Sequence, residues 1–167
     1  SSEQKVAIIT GASQGIGEAC ARRVVKDGAA VALWDVADGP GQALAAALQA
    51  EGAEALYVHC DVSRKADVDA ALAATLARFS HVDGLVNNAG IFKAAPFLDV
   101  TEADWDAVIN VNLKGHFLVG QAVARHMAAR RSGAVVNMSS VNVRLTIPSM
   151  ASSNASNGAI HQPTRVL

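Results

Sequence analysis

The sequence lacks an excess of charge of either sign. Its 14 Lys and Arg residues and 15 Asp and Glu residues leave a formal net charge of −1. Such a chain has no basic surface of the kind that binds nucleic acid, so we expect no nucleic-acid partner. It also lacks any apolar run near the roughly 20 residues that a membrane-spanning helix requires, so we expect no membrane partner. Apolar residues still make up 51% of the chain, which excludes disorder and predicts a domain with a core.

Cysteine, tyrosine and clustered histidine are scarce as well. The two cysteines, Cys20 and Cys60, form no C-x-x-C pair, and a reduced, cytoplasmic protein is expected. The five histidines form no H-E-x-x-H or comparable pattern, so we expect no metal site. The single tyrosine, Tyr57, falls within a predicted strand, which leaves the chain one phenol for any chemistry.

Short β-branched runs alternate with helical segments along the whole chain. The predicted strands are 5–10, 30–34, 55–60, 83–88 and 134–139, and the predicted helices are 15–27, 41–51, 63–79, 101–131 and 152–167. Five strands separated by helices form β-α-β units, which predicts an α/β fold: a Rossmann-like, doubly wound parallel sheet in three α/β/α layers. No linker interrupts the pattern, so residues 1–167 are predicted to form one domain, or most of one.

Two of the predicted helices carry irregularities. Thr101 and Asp104 resemble a capping box, and the long helix that they open is expected to break near Asn110. Pro163 lies inside the last helix, where proline costs about 3 kcal/mol. Either this helix ends or kinks near His161, or the segment no longer has to be a good helix.

The turn T-G-A-S-Q-G-I-G, residues 10–17, separates the first strand from the first helix. Its spacing, G-x-x-x-G-x-G, differs from the common G-x-G-x-x-G motif, but the same physics applies. Gly11 allows a tight turn, Gly15 lets the backbone approach a pyrophosphate, and Gly17 lets the helix pack on the sheet. The free N–H groups of the helix N-terminus then face the phosphates. A tight turn without a ligand is the alternative.

Asp35 ends the second strand, 18 residues after Gly17. A carboxylate at this point accepts hydrogen bonds from both ribose hydroxyls of an adenosine and repels a 2′-phosphate. No arginine follows it, and Gln14 places no positive charge in the glycine turn. NAD is therefore favoured over NADP, and an aspartate that merely ends a strand is the alternative.

Four further motifs follow along the chain: C-D-V at 60–62, N-N-A-G at 87–90, N-V-N-L at 110–113 and N-M-S-S at 137–140. Together with the glycine turn, this series resembles the short-chain dehydrogenase/reductase family over the whole chain. The resemblance implies NAD-dependent interconversion of a small alcohol and a ketone. The cofactor-binding residues that it implies are Gly11, Ser13, Gln14, Gly15, Ile16, Gly17, Asp35, Asp61, Val62, Asn88, Ala89, Gly90 and Val111.

The resemblance also suggests a role for each motif. Asp61 would hydrogen-bond the adenine, and residues 88–90 would line the ribose side of the cofactor and brace the central strand. Asn112 would hold a water at a helix break, and Ser140 would hydrogen-bond the substrate oxygen. The alternative without a ligand is that N-N-A-G is a polar turn and that Ser140 is a loop serine.

The catalytic pair of the family is missing from this chain. The resemblance places a tyrosine at position 153 and a lysine one helical turn later, but the sequence has Ser153 and Asn157. The lysine cation lowers the pKa of the tyrosine, which acts as the acid–base group. A serine oxygen would stop roughly 4 Å short of the tyrosine oxygen, beyond the ~2.6–3.2 Å of proton transfer. We therefore expect Asn112, Ser140, Ser153 and Asn157 to mark the site of an enzyme slowed at least ~10²–10⁴-fold.

The resemblance also implies that this chain lacks the last elements of the family's fold. Family chains continue into a sixth strand, a substrate-covering segment and a seventh strand, so the domain is expected to be incomplete at its C-terminus. The fifth strand would then be an apolar edge, and this edge and the long helices 112–131 and 152–167 favour a homo-oligomer. A retained part of a longer protein, an engineered or degenerate variant, and an unreliable C-terminal sequence all fit these departures.

Three functions fit the sequence. The first is an impaired NAD-dependent oxidoreductase. The second is a non-catalytic NAD(H)-binding module, since the adenosine half from Gly11 to Gly90 is intact. The third is an inert folded fragment. Lys93, just after N-N-A-G, is a cation that could reach the cleft.

Overall fold

A five-stranded, wholly parallel sheet forms the centre of the computed structural model, which describes residues 3–166. Its strands are β1 Val6–Thr10, β2 Ala30–Asp35, β3 Ala55–His59, β4 Gly84–Asn87 and β5 Ala134–Asn137. They lie in the order β3-β2-β1-β4-β5, which confirms the predicted Rossmann-like sheet. β2 and β3 lie on one side of β1, and β4 and β5, which come later in the chain, lie on its other side. Because the connections leave β1 and β4 in opposite directions, a crevice opens at the carboxyl ends of these two strands.

Six helices occur in the described part of the chain, and four of them, the first, second, third and fifth, pack on the two faces of this sheet. The six are α1 Gly15–Lys26, α2 Asp38–Ala50, α3 Lys65–Phe79, α4 Glu102–Ile109, α5 Gly115–Arg130 and α6 Ala151–Thr164. Neighbouring residues of a strand point to opposite faces, so Ile8 packs in one buried cluster with α3 and α5, while Ile9 packs in another with α1 and α2. The two clusters give the three predicted layers.

Two predicted helix starts are wrong. The second helix begins at Asp38, three residues before the predicted Gly41, because Pro40 then falls in the first turn, where an N–H has no helical partner to lose. Ser63 does not cap the third helix, which begins at Lys65. The Ser63 hydroxyl instead donates to the Asp61 carboxylate at 2.6 Å.

The predicted irregularities of the later helices have mixed outcomes. The Asp104 N–H donates to the Thr101 hydroxyl at 3.1 Å, which confirms the cap, and a π-helical turn at Asn110–Lys114 confirms the break. The prediction that the last helix ends near His161 is wrong, because α6 continues through Pro163 to Thr164. The proline lies in the final turn, so it removes a single helical hydrogen bond.

Strand β5 is an edge of the sheet within the described residues, as predicted. Its residues alternate between exposed and half-buried, whereas every residue of β1 is buried. Val136 of β5 is 52% exposed. No helix among residues 3–166 is long and apolar enough to cross a bilayer.

Candidate functional site

A cavity of about 530 Å³ lies at the carboxyl ends of the strands. This volume is within the range of small-molecule and cofactor sites. Eleven of the thirteen predicted cofactor residues line it: Gly11, Gln14, Gly15, Ile16, Asp35, Asp61, Val62, Asn88, Ala89, Gly90 and Val111. Ser13 and Gly17 are not part of the lining. Ser13 instead bonds to the lining residue Asp35, and Gly17 packs against the lining residue Gly11.

The glycine turn approaches its neighbours more closely than side chains would allow. Gly11 has φ +63°, and a Cβ there would lie 2.9 Å from the Ala89 Cα. A Cβ on Gly17 would lie 2.8 Å from the Gly11 carbonyl carbon and closer still to its oxygen. At Gly15, also with positive φ, no atom lies within 4 Å of such a Cβ, so this part of the turn is open to a ligand.

Thr10 and Asn88 fasten this turn to the end of β4. The buried Thr10 hydroxyl accepts hydrogen bonds from the N–H groups of Asn88 and Ala89, both at 2.9 Å. The Asn88 amide donates in turn to the carbonyls of Thr10 at 3.1 Å and Gly11 at 3.3 Å. These four bonds hold together two segments nearly 80 residues apart, so Asn88 braces the turn.

The Asp35 carboxylate is held by backbone donors. It accepts from the N–H groups of Ser13 at 3.0 Å, Val36 at 2.7 Å and Ala37 at 3.2 Å. Three hydrogen bonds from backbone amides fix the orientation of this carboxylate. Ser13 therefore acts on the cavity through Asp35.

The single phenol is committed elsewhere. The Tyr57 hydroxyl lies 2.8 Å from the Asp35 carbonyl oxygen and 2.6 Å from the Asp38 carboxylate. Burial and the Asp38 carboxylate raise its pKa well above the usual value. Tyr57 is therefore a structural donor beside Asp35 and supplies no acid–base group to Ser153 or Asn157.

The residues of the cavity fit a dinucleotide. The N-cap residue of α1, Gln14, makes no side-chain capping bond, so the first N–H groups of the helix remain available to a phosphate. The open backbone at Gly15 lies beside them, and the Asp35 carboxylate, bonded to the Ser13 N–H in the same turn, also lines the cavity. This donor set suits a diphosphate joined to a ribose.

Ser153 and Asn157 are hydrogen-bonded to each other. The Asn157 amide donates to the Ser153 carbonyl at 2.9 Å and lies 3.2 Å from its hydroxyl. The Ser139 hydroxyl donates to the Asn157 carbonyl at 3.1 Å. Ser153 is buried, and neither partner carries a charge. The pair thus satisfies its own hydrogen bonds and presents no titratable group.

Asn112 connects three segments around this pair. Its carboxamide accepts from the Ile91 N–H and donates to the Ile91 carbonyl, both at 2.8 Å, and its nitrogen lies 3.4 Å from the Ser156 hydroxyl. Ser140 does not join this network: its hydroxyl accepts from the Asn142 N–H at 3.3 Å. Among the described residues, no hydrogen bond links Ser140 to the other three predicted catalytic positions.

Lys93 does not extend freely into the cleft. Its ammonium lies 3.0 Å from the Asp104 carboxylate at the start of α4, and this contact holds the pKa of Asp104 below its usual value. The cation is therefore paired. No group of three His, Cys, Asp or Glu side chains placed to hold a metal occurs between residues 3 and 166.

Sequence reasoning missed several lining residues: Trp34, Val36, Ala37, Cys60 and Ile91. Four of them directly adjoin a predicted residue and Ala37 lies two residues after Asp35, so a search of the flanking positions would have found them. Ser156 was missed for another reason. It lies 44 residues from Asn112, and only the packing of α6 against the π-helical turn brings them together.

Comparisons with known proteins agree with this geometry. Residues 5–167 match the family described as short chain dehydrogenase. Cis-4-hydroxycyclohexanecarboxylate dehydrogenase of Sinomonas cyclohexanicum is 43% identical over 139 residues, which are 83% of this chain and 55% of that protein. The chain spans between 52% and 66% of the length of eight curated relatives.

Two solved structures share the fold. A short chain dehydrogenase/reductase from Burkholderia phymatum in complex with NAD has a TM-score of 0.95 and 36% identity, covering 98% of this chain and 59% of its own. A gluconate 5-dehydrogenase from Burkholderia cenocepacia, in complex with NADP and tartrate, has a TM-score of 0.92 and 40% identity, covering 98% and 64%. Sequence, sheet order and structural likeness lead to one conclusion: this chain belongs to the short-chain dehydrogenase/reductase family.

Proposed function

We propose that this chain binds NAD(H) across the carboxyl ends of β1 and β4 as part of a short-chain oxidoreductase whose proton-transfer chemistry is impaired. The observation that carries the proposal is the Asp35 carboxylate at the rim of the cavity, held by three backbone N–H groups. An oriented carboxylate accepts hydrogen bonds from the ribose hydroxyls.

The choice of NAD over NADP follows from charge. A 2′-phosphate would meet the Asp35 carboxylate, and the next residue, Val36, is apolar and 56% exposed, so it offers no compensating cation. Like charges in contact are costly where water is partly excluded. We therefore expect NADH to bind at least about tenfold more tightly than NADPH.

Titration of the protein with NADH and with NADPH tests this proposal. Trp34 is fully buried and lines the cavity, so its fluorescence reports binding at the adenosine side. Saturable binding of NADH with weaker binding of NADPH would support the proposal. Equal affinity for the two nucleotides would contradict the assignment to NAD. The absence of binding would favour the third function, an inert folded fragment.

The chemistry of the family needs a proton at the substrate oxygen. When bound, the nicotinamide supplies or accepts the hydride at the substrate carbon. Reduction of a ketone to an alcohol also takes up one proton, which a positioned side chain must deliver. In this chain Ser153 is buried and hydrogen-bonded to Asn157, and neither is a practical acid at neutral pH. We therefore propose slow hydride transfer at most.

Restoring an acid and a cation at these positions tests the impairment. The double substitution Ser153→Tyr with Asn157→Lys should raise NADH-dependent ketone reduction by at least ~10²-fold. Ser153→Tyr alone should raise it less, because no cation lowers the pKa of the phenol. Unchanged activity of a folded double variant that binds NADH would contradict the site assignment.

A non-catalytic NAD(H)-binding module is the second candidate function. Eleven predicted cofactor residues line the cavity, which supports nucleotide binding. The Ser153–Asn157 pair offers no charged group, which argues against catalysis. Saturable NADH binding without measurable turnover of any ketone tested would favour the module. Measurable turnover that is lost on Asp35 substitution would favour the oxidoreductase.

We also propose that copies of this chain associate with one another. A groove of about 510 Å³ between α5 and α6 is lined mainly by apolar residues, among them the half-exposed Phe117 and the buried Ile160, which supports association of copies along these helices. Sedimentation of the purified chain tests this association, and a monomer at all concentrations would contradict it.

We propose a cytoplasmic location for this chain. The free thiols of Cys20 and Cys60 support a reducing compartment.

A further inference from the structure

The turn between β2 and α2, residues 35–38, is held by side chains of β3 that do not line the nucleotide cavity. The Tyr57 hydroxyl lies 2.8 Å from the Asp35 carbonyl oxygen and 2.6 Å from the Asp38 carboxylate, so one phenol reaches both ends of the turn. The His59 ring lies 2.7 Å from the same Asp38 oxygen. The position of Asp38, and with it the start of α2, therefore depends on two side chains of β3.

The same turn carries the carboxylate that the proposed function assigns to the ribose. The Asp35 carboxylate accepts from the N–H groups of Val36 and Ala37, and both donors lie between the two residues that the phenol contacts. All three residues of this arrangement line the cavity. Because the two amides orient the carboxylate only while the turn keeps its shape, a contact that closes the turn also acts on Asp35.

The packing of α2 makes room for this phenol. A Cβ on Gly41 of α2 would overlap the Tyr57 ring and would lie 2.9 Å from the Ser13 hydroxyl oxygen, so the glycine lets the ring lie directly against the helix backbone. The Ser13 N–H in turn donates to the Asp35 carboxylate at 3.0 Å. The ring, the start of α2 and the glycine turn are therefore packed together behind Asp35.

The contact with Asp38 is the part of this arrangement that no other strong bond replaces. The Asp35 carbonyl also accepts from the Cys60 N–H at 2.9 Å, so the end of β2 stays fixed without the phenol. Within the described part of the chain, the Asp38 carboxylate is hydrogen-bonded only to Tyr57 and His59. The His59 contact is more than half exposed on both sides, and such pairs contribute little. Loss of the phenol would therefore free the start of α2 and the two amides of the turn.

We propose that Tyr57 is a positioning residue of the nucleotide site: by tying the start of α2 to the end of β2, its hydroxyl keeps the Asp35 carboxylate in the orientation that accepts the ribose hydroxyls and opposes a 2′-phosphate. This inference rests on the proposed function, because it deepens the recognition of NAD(H) at the same site. Tyr57 acts through Asp35, so its hydroxyl contributes both to NADH affinity and to the preference over NADPH.

The substitution Tyr57→Phe removes the hydroxyl, keeps the ring and tests the proposal. We expect NADH to bind about threefold to tenfold more weakly, and the ratio of the NADPH and NADH dissociation constants to fall about threefold. The fluorescence of Trp34, which lines the cavity, measures both affinities. Thr101→Ala is the matched control, since it removes one hydrogen bond at the start of another helix, away from the cavity lining. It should lose comparable stability in urea and keep the parent affinity and ratio.

A double-mutant cycle shows whether the phenol acts through Asp35. In a chain that carries Asp35→Ser, the further substitution Tyr57→Phe should change the NADH dissociation constant by less than about twofold, because the carboxylate that the phenol positions is absent. A role of the phenol in the fold alone would give the same fold-loss in both backgrounds.

Each contrary outcome has a distinct meaning. Failure of NADH to bind the parent chain overturns the proposed function and this inference with it. If the parent binds NADH, an unchanged affinity and ratio in Tyr57→Phe overturn the inference alone. An equal loss of affinity in Thr101→Ala, or the same loss from Tyr57→Phe with and without Asp35, also overturns it. Failure of Tyr57→Phe to fold would assign the phenol to the stability of the domain and would overturn it as well.

Discussion

Gly17→Ala is the substitution that tests the packing of the glycine turn. Gly17 is buried in the first turn of α1, where alanine would ordinarily favour the helix by about 1 kcal/mol. The added Cβ would lie 2.8 Å from both the Gly11 carbonyl carbon and the Asn88 amide nitrogen, whereas ordinary contact begins near 3.4 Å. The nearest atom would be the Gly11 carbonyl oxygen, which belongs to the backbone, so the helix must move away from the turn by more than about 0.6 Å even if the Asn88 side chain shifts.

The expected cost follows from this overlap. Overpacking of this kind costs about 1–3 kcal/mol, even after the gain in helix propensity is included. The phosphate donors of α1 move with the helix, so NADH affinity should fall at least about tenfold. Urea unfolding followed by circular dichroism measures the first effect, and NADH titration of the folded variant measures the second.

Gly158→Ala is the control for this experiment. Gly158 lies inside α6, and apart from its chain neighbours and its own helix backbone no atom lies within 4 Å of a Cβ placed there. We expect its free energy of unfolding to stay at the parent value or to rise by up to about 1 kcal/mol. If Gly17→Ala matched Gly158→Ala in both unfolding and NADH affinity, the close approach of α1 to the turn would be refuted.

Asp35→Ser should weaken NADH binding about tenfold and reduce the preference over NADPH, and a constant ratio of the two dissociation constants would contradict the ribose assignment. Thr101→Ala should lower the free energy of unfolding by about 1 kcal/mol in urea, while Thr101→Ser should not; equal stability of both would argue against the cap. The His126 ring accepts from the Val82 N–H at 3.2 Å, and burial together with the Arg130 charge lowers the pKa of His126. The folded state thus favours the neutral ring, so this stabilisation is present above the usual pKa of about 6.5 and is lost as pH falls further. His126→Gln should flatten that decline in unfolding free energy, and an unchanged pH dependence would show that His126 does not cause it.

The strands and the glycine turn could be predicted because their causes are local. Runs such as 30–34 are β-branched or apolar throughout, and a strand buried on both faces needs nothing else. The positions of Gly11 and Gly15 reflect backbone angles that other residues rarely adopt, and both have positive φ in the structure. Helix starts were less predictable, since Ser63 had a competing partner in the Asp61 carboxylate.

The partners of the site residues could not be predicted, because they are distant in sequence. Ser13 reaches Asp35 across 22 residues, and Asn88 reaches Thr10 across 78. Lys93 looked free in sequence, but the start of α4 brings Asp104 within 3.0 Å of it. Such pairings depend on how helices and loops pack, which no local pattern specifies.

The sequence by itself determined the family, the parallel α/β architecture and the absence of a tyrosine and a lysine from positions 153 and 157, because these depend on residue identity and spacing along the chain. The tertiary structure alone decided that the Ser13 N–H reaches the Asp35 carboxylate, that Asn88 fastens the glycine turn to the end of β4, and that a hydrogen bond from Ala95 to Ser149 joins the loops after β4 and β5. Those features arise where segments far apart along the chain come into contact, and contact distances are set only by the packed fold.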